Sequence, residues 1–146
     1  MPTSSAEDEL GLLIDLISRG SRAAFVRLFD QTWEPVRDTL ATRLQDPRRI
    51  AAVLAATYVE VWWLAGCRAA QSRDVVEWIN AIVRRRIAEV TVDVAWRAGP
   101  ESMPGMIGDQ SRYAVLELAD LLGRPVGLAG RRLPDQGGYV GPTAAR

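Results

Sequence analysis

Apolar residues recur along this chain in steps of three and four, the spacing that lines one face of an α-helix. The longest run lies between Ser72 and Arg97. There Val75, Val76, Ile79, Ile82, Val83, Ile87, Val90 and Val94 share a face. Ser72 or Asp74 is positioned to cap it, since a short side chain bearing oxygen accepts from the unpaired N–H groups of the first turn. Upstream, Leu10, Leu13, Ile14 and Ile17 predict a short helix. Ser5 and Asp8 mark its start and Gly20 its end. Ser21 caps a second helix, striped by Phe25, Leu28, Phe29, Trp33, Val36, Leu40 and Leu44. Pro35 lacks an N–H and predicts a kink or break near Gln31 to Glu34. Asp46-Pro47 opens a third helix, running to about Ala65. No stretch alternates as a strand does, so the expected fold class is all-α.

The third helix is apolar nearly all round. Ile50, Val53, Leu54, Tyr58, Val61 and Trp62 form one face, and Ala51, Ala52, Ala55, Ala56, Val59 and Trp63 the other. Between Ile50 and Cys67 the only charge is Glu60. Such a helix is buried on both sides or docks against a partner. In so small a domain the expected outcome is a protein-partner face of Ala52, Ala55, Ala56, Val59 and Trp63. Adjacent helix positions diverge by about 100°. Trp62 is therefore expected to face the core against the Ser72 helix, and Trp63 to be more exposed.

The helical domain is expected over residues 8–97, after a disordered stretch over 1–7. Residues 98–111 carry Gly, Pro and Met without a period and predict a linker. Ser111 or Asp109 caps a last short helical segment over 112–133, interrupted by Gly123. Residues 134–146, rich in Gly and Pro, predict a flexible tail. The C-terminal third is expected to be poorly packed.

Composition narrows the chemistry. The 146 residues carry 18 basic and 18 acidic groups, with no net charge. Every basic residue is Arg. Any nucleic-acid site must therefore be local. With no His and the single Cys67, neither a Ser-His-Asp nor a Cys-His pair can form. No carboxylate cluster, phosphate-cradling Gly loop or metal-ligand spacing is present. No enzyme, cofactor or metal is expected. The N-terminus lacks a basic start, and the longest uncharged run, Ile50 to Val59, is short for a membrane span. A cytoplasmic protein without membrane partners is the expectation.

The polar side of the Ser72 helix carries Trp78, Asn80, Arg84 and Arg85. Guanidinium groups pair phosphates and an indole stacks a base, so this set suits a nucleic acid. An ordinary solvated face, with Arg85 paired to Glu89 at i+4, fits the same residues. Arg86 differs. It falls about 20° from Ile79 and about 40° from Val90, inside the apolar sector. A charge there must meet an acid from another helix, with Asp30, Glu34 and Glu60 the candidates. Arg86 is expected to be the most buried of the three arginines.

Three stretches in order, GSRAAFVRLFDQTWEPV, LQDPRRIAAVLAATYVEVWWLAG and WINAIVRRRIAEV, resemble region 2 of the sigma-70 family, in its extracytoplasmic-function group. The resemblance spans about Leu10 to Val92. It implies a compact three-to-four-helix domain that docks on the RNA polymerase clamp and opens the promoter −10 element. By position, Trp78, Asn80, Arg84, Arg85 and Arg86 would lie on or near the helix that meets the −10 strand. The loop Gly66 to Arg73 would lie where the family captures a flipped base, with Arg68, Gln71, Ser72 and Arg73 as donors. Two departures stand out. Family members carry acidic and Gln residues where this chain has Arg49, Ala51, Ala52, Ala55 and Ala56. In place of the family's second DNA-reading domain, Glu117 to Leu133 resembles only part of a helix-turn-helix, with Gly127 and Gly130 weakening it.

Two functions follow as expectations. One is a sigma-like factor that binds RNA polymerase core and single-stranded −10 promoter DNA. The other is an interaction protein of sigma-derived fold that binds another regulator, or a second copy of itself, without opening promoters.

Overall fold

The protein is all-α in a computed structural model, which describes residues 3–68, 74–97 and 106–126, with side chains over 5–67, 74–92 and 112–126. Five helices follow in order: α1 (Thr3–Ser18), α2 (Arg22–Arg43), α3 (Pro47–Arg68), α4 (Val75–Arg97) and α5 (Met106–Leu122). No strand occurs among the described residues.

Three caps form as the sequence suggests. Ser21 Oγ accepts from Ala24 N at 3.2 Å. Asp46 Oδ1 accepts from Arg48 N at 3.0 Å, with Pro47 filling the first helical position. At α4 it is Asp74, accepting from Glu77 N at 3.1 Å. Two helices end on glycines in the left-handed region, Gly20 at φ 87° and Gly123 at φ 66°. There the next residue's N–H turns back to a carbonyl five residues earlier: Ser21 to Leu16 at 3.0 Å, Arg124 to Ala119 at 3.2 Å.

The helices depart from expectation in three places. First, α1 begins at Thr3, inside the stretch expected to be disordered. Residues 3–9 hold no Gly or Pro, so a helix anchored by Leu10 and Leu13 extends back without a breaker. Second, α2 runs through Pro35 without interruption. The proline removes one hydrogen bond, at a cost of about 3 kcal/mol. Thr32, Val36 and Leu40, buried on either side of it, hold both halves to the same core.

Third, α5 starts at Met106, within the expected linker, and its C-terminal part is well packed. Leu118, Leu121 and Leu122 join the main apolar cluster, with Leu118 fully buried. Each such leucine contributes about 1.5–3 kcal/mol. The expected helical remnant is thus an integral fifth helix up to Leu122, while the expected tail lies outside the described residues.

Every pair among α1, α2, α3 and α4 is in contact, so these four close a bundle among themselves. Leu10, Ile14, Phe25, Leu28, Leu40, Tyr58, Val61, Ile79 and Val83 fill it. Helices α2 and α3 also touch α5, and α3 packs on it the more extensively. By length and composition alone α3 could cross a membrane. Its central place in the bundle accounts for the same apolar character. Ala51, Val53, Leu54, Ala55, Thr57, Tyr58, Val61 and Ala65 are all buried. Thr57 satisfies its hydroxyl on the Val53 carbonyl at 2.8 Å, leaving no unpaired polar group in that wall.

Candidate functional site

Helix α4 places Val75, Ile79, Ile82 and Val83 in the core. Val76, expected on the same face, is 45% exposed because it lies about 100° from Val75. The three consecutive arginines leave the helix in three directions, and each meets a carboxylate of its own chain. Arg84 Nη2 donates to Glu77 Oε1 at 2.8 Å. Arg85 pairs with Glu60 and, at 4.0 Å, with Glu89. Arg86 holds Glu60 Oε2 through Nε at 3.0 Å and Nη2 at 2.8 Å. It also lies 3.7 Å from Glu89.

Burial ranks these contacts. The Glu60 side chain is 12% exposed and that of Arg86 34%, against 53% for Arg85 and 59% for Arg84. Arg86 is the most buried of the three, as its helix phase predicts, and its acid is Glu60. Asp30 instead pairs with Arg124. Glu60, the lone charge in a long apolar stretch of α3, thus anchors α3 to α4. Arg86 is a structural residue. The exposed Arg84–Glu77 pair is worth about 0.2–1 kcal/mol and opens at little cost.

The other residues proposed for DNA do not gather on one surface. Trp78 and Asn80 are both half-buried. They sit about 160° apart around α4, on opposite flanks of its apolar face. Trp78 packs against the core cluster. The side chain of Arg68 and all of Gln71, Ser72 and Arg73 lie outside the described residues. The described arginine patch is electrically balanced, with Glu60, Glu77 and Glu89 set against Arg84, Arg85 and Arg86.

The proposed partner face on α3 divides differently. Ala55 is fully buried, and Ala52, Ala56 and Val59 are half-buried. Trp63 is 67% exposed, and its indole N–H donates to Glu117 Oε1 of α5 at 3.0 Å. Helix α5 packs more extensively on α3 than on any other element. By helix phase Ala52, Ala56 and Val59 lie on the Trp63 side of α3. Two further contacts tie α5 to α2: Arg22 to Asp120 at 3.6 Å, and Arg124 to Asp30. Glu117, Asp120 and Arg124 carry no local sign in the sequence that they act together. Glu117 and Asp120 are exposed on α5, and Arg124 follows just past Gly123 at its C-terminal end.

Trp62 packs inward, as its phase requires, but against α2. Its ring meets Phe25 edge-to-face at 5.5 Å. Acrylamide quenching should separate the two neighbours. Trp63→Phe is expected to remove the strongly quenched part of the emission, and Trp62→Phe to leave it. If the two variants quench alike, the assigned faces of α3 are wrong.

Among the described residues no group of His, Cys, Asp and Glu is arranged to hold a metal ion. Cys67 is exposed and unpaired. Comparison with known proteins returned no matching family model, curated protein or solved structure.

Proposed function

We propose that this chain is a sigma region 2-like regulatory domain that acts by binding another protein of the transcription machinery, and that it does not hold melted promoter DNA. The partner is RNA polymerase core or a regulator of it. The transcription context rests on the resemblance of GSRAAFVRLFDQTWEPV, LQDPRRIAAVLAATYVEVWWLAG and WINAIVRRRIAEV to sigma region 2. One observation carries the choice against DNA. Arg84, Arg85 and Arg86 face Glu77, Glu60 and Glu89, so over its described side chains the helix that would meet a nucleic acid presents no net positive patch. Affinity for phosphates grows with the number of cations free to replace condensed counterions. Here each arginine must first leave an acid, and that acid then repels the strand.

The promoter-binding reading keeps one support, which is that Arg84 and Arg85 are more than half exposed in weak pairs. The two readings part in one experiment. Pull-down with core RNA polymerase should retain the full chain. Fluorescence anisotropy with a −10-type single strand at about 0.1 M salt should show no saturable binding, and Arg84→Ala with Arg85→Ala should change nothing. If the strand binds and the double variant flattens the salt dependence, by about 0.7 per lost phosphate contact in the log–log slope, the DNA reading wins. Failure to retain polymerase would remove it as the partner.

A further inference from the structure

Helix α5 is joined to this protein differently from the others. Helices α1 to α4 touch one another in every combination, while α5 touches α2 and α3 alone. Among its described side chains the buried ones are Leu118, Leu121 and Leu122, spaced as i, i+3 and i+4, with Ala114 and Val115 partly buried beside them. The described polar contacts lie at the surface. Glu117 accepts from Trp63, Asp120 pairs with Arg22, and Arg124 pairs with Asp30. On α3, its main contact, Trp63 reaches Glu117, and Ala52, Ala56 and Val59 share the Trp63 side by helix phase.

From this arrangement we infer that the α3–α2 surface under α5 is a docking groove, with α5 as its resident occupant. A partner's amphipathic helix displaces α5 by presenting the same pattern: an acid, leucines at i, i+3 and i+4, and a second acid between them. The inference rests on the reading of the chain as a protein-binding domain and names the surface used. Three features carry it. The four-helix bundle is closed without α5, so opening exposes a groove and leaves the fold standing. The groove selects for charge, since Arg22 and the Trp63 N–H both call for acids at fixed places on the incoming helix. Last, the described polar contacts that hold α5 are exposed and individually weak, which leaves local opening within reach.

Hydrogen exchange on the full chain tests the opening. Amides of residues 112–122 are expected to exchange at least tenfold faster than those of α2 and α3. Glu117→Arg combined with Asp120→Arg should speed them about three- to tenfold more, leaving α1 to α4 unchanged. Adding Arg22→Asp to Asp120→Arg should restore slow exchange, because the pair is rebuilt with its signs reversed. These positions are exposed, so the variants leave the core intact.

The docking is tested with a labelled synthetic peptide of residues 106–126. It should bind the Glu117→Arg, Asp120→Arg chain several-fold more tightly than the unaltered chain, where α5 competes. A Leu118→Asp form of the peptide should bind neither. If α5 exchanges at the same rate as α2 and α3 in every variant, it belongs to one cooperative core and the inference falls. Equal or absent peptide binding also overturns it. Both measurements omit polymerase, so their failure and a failed polymerase pull-down are told apart.

Discussion

Replacing Tyr58 with alanine is expected to lower stability by about 3–5 kcal/mol, a large share of the roughly 5–15 kcal/mol typical of a domain. Tyr58 is fully buried on α3 at the centre of the bundle. Its ring meets Phe29 edge-to-face at 4.8 Å, and its hydroxyl lies 2.7 Å from Thr32 Oγ1. The Thr32 hydroxyl proton goes to the Leu28 carbonyl at 2.7 Å, so Tyr58 is the donor to Thr32. Alanine would leave a cavity lined by aromatic and aliphatic groups that helical backbones cannot collapse to fill. Tyr58→Phe removes only the hydroxyl and should cost about 0.5–1.5 kcal/mol. Urea midpoints of the two variants give the comparison, and a small loss for Tyr58→Ala would contradict the central role.

The same hydroxyl makes the fold sensitive to alkali. Burial raises the Tyr58 pKa, and the Thr32 contact only partly offsets this. In the unfolded chain a tyrosine titrates near pH 10. Below that value both states hold the proton, and the stability associated with it is complete. As pH rises past it toward the higher folded pKa, the unfolded state alone releases the proton and stability falls. Denaturation midpoints should therefore decline above about pH 10 in the native sequence, and more shallowly in Tyr58→Phe. Identical slopes would mean that the phenol is not held protonated by burial.

Glu60→Ala is the second large effect, about 1.5–3 kcal/mol. Removing the acid from a buried ion pair costs about 3–5 kcal/mol, and partial exposure of Arg86 reduces this. The loss arises because both Arg85 and Arg86 converge on this one carboxylate, and Arg86 has only the more distant Glu89 left. Arg86→Ala should cost less than Glu60→Ala, since Glu60 keeps Arg85. Arg84→Ala should cost least, within about 1 kcal/mol. Guanidinium titrations that rank Arg84→Ala level with Glu60→Ala would refute this order.

The helices, their caps and the phase of Arg86 were legible because each depends on neighbours within a turn or two. An arginine among Ile79, Ile82 and Val83 must find an acid, and α3 offers only Glu60 over a long stretch. The Arg84–Glu77 pair spans seven residues, two full turns, beyond the i+3 and i+4 spacing used to judge surface pairs. Periodicity likewise identified α3 as apolar on both sides. It does not say whether the second occupant is another molecule or a later part of the same chain. That is why the face of Ala52, Ala55 and Ala56 was assigned to a partner while α5, over 40 residues downstream, lies along the same helix. The linker expectation failed at Met106 for a related reason. Gly108, Asp109 and Ser111 are poor helix formers that the anchored leucines beyond them override.

The contact of Asp30 with Arg124 joins residues 94 apart. Its consequence lies in the order of synthesis. Helices α1 to α4 are made first and pair with close neighbours in sequence, so a bundle can form as the chain leaves the ribosome. Helix α5 emerges later, roughly several seconds after α3 at ordinary elongation rates. Throughout that interval the side of α3 on which α5 packs stands uncovered. A nascent chain of this protein therefore passes through a stage in which that surface is open to chaperones, before α5 arrives.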